Sequence, residues 1–356
     1  MDKLQIAFLC NGYGRVSRGS ERFTSEFYNH MKDLVNIDIY GMDDTDHSIG
    51  LHTKFRDEIR FPWRNGRAYL ESYYFSKRWY KEMLEKKDKK NYDIVFNNAG
   101  IGGSYWCKKY RKKTNTPFIT RARGGGYEEK YNIWCKPNCM IFLTKENRRQ
   151  LAKKKRIKTV IIPNAIDLKE YSNKKEKSEI SKGMEHPIFL STSAFVKFKR
   201  NDLIIKAMSN LNNGSLLFVG DGPLKKQTLE LGNRLLGKRF KYGGCIPSSQ
   251  REEIIKLYQD ADVFVQTSWK DAFPTVYLEA MASNLPIVTQ SDGRRKEIIN
   301  NAGILVDCLD IKSLSEAMYQ ASEKQWDKIP FQQAEKFSWE IMKKKYMKLF
   351  EEMMSE

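Results

Sequence analysis

Short runs of apolar residues alternate with longer stretches in which apolar positions recur at helical spacing, and this order repeats along most of the chain. The runs are mostly continuous, which is typical of strands buried on both faces of a parallel sheet. Repeated strand–helix alternation predicts doubly wound α/β sheets. The predicted strands span residues 4–10, 36–42, 93–100, 116–124, 139–144 and 159–167 in a first series, and 187–195, 215–222, 240–246, 262–268, 286–292 and 303–308 in a second.

One polar segment interrupts this alternation. Residues 172–186 are rich in charge, contain a glycine and lack an apolar period, so they are the best candidate for a linker. A chain of 356 residues is long for a single core and suits two domains. The sequence therefore predicts an N-terminal domain, a linker, a C-terminal domain and a closing helix with the bounds 1–170, 171–186, 187–330 and 331–356.

Composition excludes several classes of protein. With 40% hydrophobic and 12% aromatic residues, the chain is expected to be globular and not disordered. No stretch approaches ~18 uninterrupted apolar residues, and the apolar start is expected to be a first strand, too short for a signal peptide. The six cysteines are scattered, apart from a lone C-x3-C at Cys135 and Cys139, which predicts a reduced, cytoplasmic setting.

Positive charge is concentrated in the first half of the chain. Residues 1–170 hold 35 Lys and Arg against 20 Asp and Glu, whereas residues 171–356 hold 28 against 24, within a net charge of +19. A basic half favours an anionic partner, either nucleic acid, an anionic membrane face or a phosphorylated substrate. A basic surface that is simply solvated is the alternative.

The segment 60–90 mixes aromatic residues such as Trp63 and Trp79 with nine Lys or Arg after Arg60. Aromatic and basic side chains together suit a helix that lies in an anionic lipid interface. A core helix whose polar face is basic explains the same pattern, so both interpretations stand at this point.

Candidate chemistry concentrates between Asp262 and Gly293, where two apolar runs flank a short helix. Pro274 suits the first helical turn, because its missing N–H removes a donor that would be unpaired anyway. Asp271 then lies in the loop before the helix, and Glu279 lies about a turn and a half inside it. Both are near the carboxyl end of a strand, the edge where open α/β sheets bind ligands.

A helix start of this kind attracts phosphate through its unpaired N–H groups and its dipole. Two carboxylates do not bind phosphate, so their natural partners are hydroxyl groups. A phosphate flanked by two polyols describes a nucleotide-sugar, with Asp271 on the sugar and Glu279 on the ribose. The residues expected to face the phosphates are Ala272, Phe273, Pro274 and Thr275.

Asp271 and Glu279, with seven residues between them, resemble the Glu-x7-Glu motif of the retaining family 4 glycosyltransferases, with Asp in place of the first Glu. The surrounding LEAMASNLPIV is similar to that family's LEAMACGLPVV. The resemblance implies the GT-B fold, an α/β architecture of two Rossmann-like doubly wound domains facing across a cleft. It also implies an acceptor site on the first domain, a nucleotide-sugar site on the second, and a last helix that packs back on the first.

Further motifs extend the resemblance over nearly the whole chain. IPNAID at 162–167 resembles the family's PNGID at the domain junction, and GRRKEI at 293–298 resembles GG-x-x-E-I, with Glu297 in a structural role. Residues 12–23 resemble a Gly-Gly loop that leads into a helix, and Gly19 is the candidate for a close backbone approach to the donor phosphates.

Two loops of the second half resemble donor contacts of the family. LLFVGDGP at 216–223 is similar to the family's strand into GDGP, and its glycines would let the backbone approach a ligand closely. GGCIP at 243–247 resembles the loop near the nucleotide base. The donor contacts implied here are Gly220, Asp221, Gly222 and Ile246.

Two positions depart from the family pattern. Lys199 falls on the lysine expected to hold the donor β-phosphate, but the family's arginine falls on Ala194. Two cations normally neutralise a leaving diphosphate, and Lys197 and Arg200 are the candidates for the second. The family's histidine is replaced by Arg123, which cannot act as a base near neutral pH but can hold phosphate or orient a sugar.

The resemblance implies a retaining, metal-independent transfer of a sugar from a nucleoside diphosphate donor, expected to be UDP-linked. The expected acceptor is a hydroxyl of a glycan or lipid-linked glycan in cell-surface polysaccharide synthesis. No cofactor or metal is expected, because none of the four histidines lies in a motif and the acidic run from Asp43 to Asp46 lies in a polar loop. The catalytic candidates are Asp271, Lys199 and Arg123.

A catalytically silent nucleotide-sugar-binding subunit of a glycosyltransferase complex is the alternative, because several motif positions differ from the family pattern. Nucleic-acid binding by the basic half is not expected, since the chain contains no recognised nucleic-acid-binding motif. The protein is expected in the cytoplasm, with peripheral binding to the inner face of the plasma membrane through residues 60–90 as a further expectation.

Overall fold

A computed structural model of the protein describes residues 3–15, 19–52, 66–85, 91–123, 127–152, 157–171, 173, 176–247 and 250–355. The chain divides into two compact units. Unit 1 comprises Met1–Pro163 and Met342–Glu356, and unit 2 comprises Asn164–Ile341. The boundary at Asn164 falls inside the stretch predicted as the N-terminal domain, so the segment predicted as a linker belongs to unit 2.

Within its described residues, unit 1 is a seven-stranded parallel sheet with a helix between successive strands, except between β2 and β3, which a short loop joins. The strands are β1 (Gln5–Leu9), β2 (Asn36–Gly41), β3 (Ser48–Gly50), β4 (Ile94–Asn97), β5 (Phe118–Arg121), β6 (Cys139–Phe142) and β7 (Lys158–Ile161). The helices are α1 (Gly19–Met31), α2 (Gly66–Glu85), α3 (Ile101–Thr114), α4 (Tyr127–Trp134) and α5 (Lys145–Ala152). The strand order is β3-β2-β1-β4-β5-β6-β7. The sequence did not predict β3, because three residues are too few to show an apolar period.

Unit 2 holds a second parallel sheet, six-stranded among the described residues. Its strands are β8 (Ile188–Thr192), β9 (Ser215–Val219), β10 (Phe240–Tyr242), β11 (Val263–Gln266), β12 (Ile287–Gln290) and β13 (Gly303–Val306). Its helices are α6 (Asn201–Met208), α7 (Lys225–Leu236), α8 (Arg251–Asp260), α9 (Thr275–Ala282), α10 (Gly293–Ile299), α11 (Ile311–Glu323) and α12 (Ile329–Glu335). The strand order is β10-β9-β8-β11-β12-β13.

The last helix, α13 (Trp339–Met354), supplies aromatic side chains to the core of unit 1. The ring of Tyr346 lies 5.0 Å from that of Phe27, edge to face. Phe8 on β1 stacks on Phe96 on β4 with centroids 4.6 Å apart. All four rings are fully buried, and such pairs add about 0.5–1.5 kcal/mol each beyond their burial.

Helix α2 contains most of the segment proposed as a lipid-facing helix, while residues 60–65 and 86–90 of that segment lie outside the described residues. Phe75 and Trp79 are fully buried, whereas Tyr74 is half exposed. The described part of α2 thus has the character of a core helix whose outer face mixes basic and acidic residues. No helix within the described residues is long and apolar enough to cross a membrane.

Both sheets have a position where the strand order reverses. In unit 2, β8 lies between β9 and β11, so the chain leaves β8 and β11 toward opposite faces of the sheet. The crevice at the carboxyl ends of such strands is where open α/β sheets bind ligands. In unit 1 the corresponding position lies between β1 and β4.

Candidate active site

The loops that follow β8 and β11 bring two predicted site residues into direct contact. Lys199 Nζ donates a hydrogen bond to Asp271 Oδ2 at 2.6 Å. The two side chains are only 13% and 21% exposed, so water screens this ion pair less than one on the open surface. A cation and a carboxylate, which can accept hydrogen bonds from hydroxyl groups, thus lie together at the crevice edge of unit 2.

Hydrogen bonds to backbone carbonyls hold these two loops against each other. The Thr267 hydroxyl lies 2.9 Å from the carbonyl oxygen of Lys199 and 2.8 Å from that of Arg200. The N–H of Trp269 donates to the carbonyl of Phe198 at 3.2 Å. The position of Lys199 is therefore set by the end of the neighbouring strand and not by its own loop alone.

Helix α9 starts at this edge, immediately after Pro274. Pro274 is the N-cap residue in an extended conformation (φ −66°, ψ 122°), one position before the first helical turn in which it was predicted. Ala272 and Phe273 are buried in the loop before it, and the Asn164 side-chain amide donates to the Phe273 carbonyl at 2.9 Å. The amides of Thr275 and Val276, which open α9, have no acceptor within the helix, whereas the N–H of Tyr277 donates to the Pro274 carbonyl at 3.3 Å.

Glu279 lies on α9 and is almost completely buried, at 3% exposure. Its Oε1 accepts a hydrogen bond from Arg251 Nη1 at 3.0 Å. Arg251 also donates through Nε to Glu170 Oε2 at 3.1 Å and through Nη2 to the hydroxyl of Tyr171. Burial and then the negative charge of Glu279 raise the pKa of Tyr258 well above its ordinary value. Arg251 was not predicted as a site residue, because nothing in the sequence around it points to Glu279.

Arg295 is a second residue that the sequence analysis missed. It is fully buried and donates through Nη2 to the carbonyl of Ser268, on the loop that leads to Asp271. Its other groups bond the Asp292 carboxylate and, at 3.3 Å, the Tyr277 hydroxyl. The available signal was that Arg295 lies two positions before Glu297 and is spaced at i+3 and i+4 from the apolar Ile298 and Ile299 of α10.

The glycines of the GDGP loop allow two backbone segments to pack closely. A Cβ at Gly220 (φ +139°) would lie 2.1 Å from the carbonyl oxygen of Ser193, and one at Gly222 (φ +156°) would lie 2.6 Å from that of Phe195. The close approach is therefore to the loop after β8, where the sequence analysis expected an approach to ligand. Asp221 is exposed, and its Oδ1 accepts from the N–H of Gly222 at 2.8 Å.

Lys197 and Arg200, predicted as the second phosphate cation, line a cavity of about 450 Å³ between residues 195–202 and α7. Arg200 has φ +50°, and its guanidinium lies 5.7 Å from the ring centroid of Trp269. Neither Lys199 nor Asp271 is among the described residues that line this cavity. Ile246 is half-buried on the loop after β10.

In unit 1, Arg123 follows β5, the strand next to β4 and one strand away from the reversal point of the sheet. Its Nη2 donates to Glu128 Oε1 at 2.8 Å, and its Nη1 donates to the carbonyl of Asn98 at 3.2 Å. Burial is the largest single effect and opposes the charge, but Glu128, Cys10 and Glu129 together raise the pKa of Arg123. Gly19 opens α1, and a Cβ there would meet nothing within 4 Å.

The acidic run in the loop after β2 is occupied by basic partners. Asp43 pairs with Arg15 at 2.6 Å, and Asp44 Oδ2 lies 2.6 Å from His52 Nε2. The hydrogen bond from Arg15 lowers the pKa of Asp43. Over the part of the chain that the structure describes, no group of three or more His, Cys, Asp and Glu side chains could hold a metal ion.

The C-terminal half of the chain is similar in sequence to a known protein family. Residues 172–338 match the family model described as glycosyl transferases group 1. The chain is 30% identical over 106 residues to the O-antigen chain mannosyltransferase B of Escherichia coli, a match that covers 28% of this chain and 27% of that one. The matches to seven curated relatives cover from 21% to 50% of their lengths.

Solved structures resemble the fold over nearly the whole chain. The sucrose-phosphate synthase of Thermosynechococcus elongatus is 16% identical, with a TM-score of 0.79, and the match covers 99% of this chain and 100% of that one. The Anabaena protein HepE, solved with UDP and glucose, is 15% identical, with a TM-score of 0.74 over 98% of this chain and 100% of that one. The predicted GT-B fold is confirmed.

Proposed function

We propose, on the premise that residues 172–338 match the family of group 1 glycosyl transferases, that the chain is a retaining glycosyltransferase that uses a nucleoside diphosphate sugar. The donor would lie at the carboxyl ends of β8 and β11 in unit 2. The observation that carries this proposal is the contact between Lys199 and Asp271 at 2.6 Å, beside a helix that bears the buried Glu279.

Each group in this arrangement has a role that follows from its chemistry. Lys199 and the amides at the start of α9 stabilise the diphosphate, since cations and helix N-termini favour negative charge. Asp271 accepts hydrogen bonds from hydroxyls of the transferred sugar, and Glu279 accepts those of the ribose. Arg295 acts at a distance by holding the Ser268 carbonyl in the loop that carries Asp271.

The proposed transfer needs no resident cofactor or metal. As the bond between the sugar and the diphosphate breaks, its electron pair stays on the phosphate oxygen, whose growing charge Lys199 and the helix amides stabilise. That oxygen takes the proton of the acceptor hydroxyl while the hydroxyl oxygen forms the new bond on the same face of the sugar. A single donor aimed at developing charge is typically worth about 10²–10³ in rate.

The donor in this proposal is UDP-linked and the acceptor is a glycan or lipid-linked glycan of a cell-surface polysaccharide. The UDP bound by HepE and the O-antigen named for the Escherichia coli relative support this choice. Five of the six cysteines are buried as free thiols, which suits a reducing compartment where nucleotide-sugars are made.

The test is a panel of UDP- and GDP-sugars, read first by thermal shift and then by release of the nucleoside diphosphate. A true donor raises Tm by mass action, and an acceptor extract accelerates its turnover. Glu279→Ala is expected to remain folded and lose turnover. Donor binding without any release of nucleoside diphosphate would favour the silent-subunit alternative, and the absence of binding to every donor would contradict both.

The second partner in the proposal is an anionic membrane surface. Helix α3 carries five cations and no acidic residue, and Tyr131 and Trp134 on the adjoining α4 are exposed. Lys108 Nζ lies 4.7 Å from the Trp134 ring centroid. Aromatic and basic side chains suit a lipid interface, and this face extends the contact predicted for residues 60–90.

Sedimentation with vesicles tests the membrane contact. Vesicles with anionic lipid should carry the protein down and purely zwitterionic vesicles should not, with binding weakened by salt. Trp134→Ala should reduce the bound fraction, while Trp269→Ala, a change at an exposed tryptophan of unit 2, should leave it unchanged. Equal binding to both kinds of vesicle would contradict this partner.

A further inference from the structure

Arg251 is the first residue of α8, and its side chain contacts three other residues. Its Nη1 bonds Glu279 Oε1 at 3.0 Å, its Nε bonds Glu170 Oε2 at 3.1 Å, and its Nη2 bonds the Tyr171 hydroxyl. The guanidinium carbon also lies 5.5 Å from the Tyr171 ring centroid. A planar fork with several fixed donors can hold these partners at once, which a single ammonium cannot.

Of the two carboxylates that Arg251 contacts, that of Glu279 is the one assigned to the ribose. The Glu279 side chain is 4% exposed and that of Arg251 is 22% exposed, so the pair lies largely out of water. A buried carboxylate without a cation tends to take up a proton or to rotate toward another donor. A neutral or rotated carboxyl would accept hydrogen bonds from hydroxyls poorly, since charged acceptors make the stronger bonds.

We propose that Arg251 is a positioning residue that gives the donor site its preference for ribose over deoxyribose. It does so by keeping Glu279 ionised and by fixing one carboxylate oxygen, so that the group presents a constant orientation to the sugar hydroxyls. The proposal rests on the assignment of this site to a nucleotide-sugar. Glu170 and Tyr171 fix the arginine in turn, from the segment that follows β7.

Nucleotide selectivity is the readout, because a ratio of two affinities does not depend on the fraction of active protein. The probes are UDP and 2′-deoxy-UDP, with GDP and 2′-deoxy-GDP in parallel, measured by calorimetry on the full chain. The wild-type protein is expected to prefer the ribonucleotide by about tenfold or more, the usual worth of a hydrogen bond to a charged group. Arg251→Gln is expected to reduce that ratio to about threefold or less, through weaker binding of the ribonucleotide alone.

Two further variants separate the charge of Arg251 from its geometry and control for an unrelated loss of charge. Arg251→Lys retains the charge without the fork, and its ratio should fall between those of the wild type and Arg251→Gln, so an unchanged ratio would overturn the positioning role. Arg149→Gln is the matched control, because Arg149 makes an exposed ion pair with Glu146 in unit 1 and should leave the ratio unchanged.

The outcomes separate this inference from the proposed function. If the wild-type protein binds no nucleoside diphosphate, the proposed function fails. If it binds UDP and 2′-deoxy-UDP equally, the ribose role of Glu279 fails and the inference with it. If the wild type discriminates and Arg251→Gln or Arg251→Lys discriminates equally well, only the inference about Arg251 is overturned.

Discussion

The ion pair between Lys199 and Asp271 predicts opposite effects of two substitutions on nucleotide binding. In the free protein, Asp271 neutralises the ammonium that the donor diphosphate would need. Lys199→Met removes the cation and should weaken UDP binding. Asp271→Asn removes the competing negative charge and should strengthen UDP binding, although both variants should lose sugar transfer.

The magnitudes follow from the geometry of the pair. Two unit charges 2.6 Å apart attract by about 6 kcal/mol at an effective dielectric constant of about 20, an upper limit that hydration of the separated charges largely offsets. We expect UDP to bind Asp271→Asn about 3- to 10-fold more tightly. Loss of a charge-assisted hydrogen bond should make UDP bind Lys199→Met about 10- to 100-fold more weakly. Transfer should fall by about 10²–10³ in each variant.

Isothermal calorimetry with UDP and a nucleoside diphosphate release assay measure the two effects, with circular dichroism melts to check the fold. Lys206→Met is the matched control, because Lys206 also pairs with an aspartate, at 2.8 Å, but both side chains are 47% exposed. It should change neither quantity. Equal weakening of UDP binding in Lys199→Met and Asp271→Asn, or unchanged binding in Lys199→Met, would refute the role given to this pair.

Three other predictions concern an arginine, a pair of glycines and a cysteine. Arg295→Met should cost about 3–5 kcal/mol of unfolding free energy in urea, because it strips a fully buried guanidinium from its carboxylate and carbonyl partners; a loss below 1 kcal/mol would contradict its structural role. Gly220→Ala should destabilise by more than about 2 kcal/mol, since the new Cβ would lie 2.1 Å from a carbonyl oxygen at a positive φ, whereas Gly19→Ala should change stability by less than about 0.5 kcal/mol. Burial raises the pKa of Cys10 to about 11, so its thiol stays protonated at pH 8 and should react with iodoacetamide far more slowly than the exposed Cys245; equal rates would contradict this.

Some features of the candidate site were accessible from sequence because they are local. Asp271, the start of α9 and Glu279 lie on one strand–helix unit, so apolar periodicity and one proline were enough to place them near each other. The placement of Lys199 at the same edge came from resemblance to a family, and the structure brings it to Asp271 across 72 positions of sequence. The two arginines that hold the site, Arg251 and Arg295, carried no local signal of comparable strength.

By itself, the sequence determined the alternation of strands and helices and the acidic pair around α9, because backbone periodicity and turn chemistry are set by neighbouring residues. The GT-B fold was predicted from the resemblance of its motifs to a family. Only the tertiary structure decided which charges meet. Sheet order places β8 beside β11 and so joins Lys199 to Asp271. The packing of α8 gives Glu279 an arginine partner, and the end of the chain supplies Tyr346 to the core around Phe27. A side chain's partner depends on distances in space, and a one-dimensional pattern contains those distances only where the residues are close in the chain.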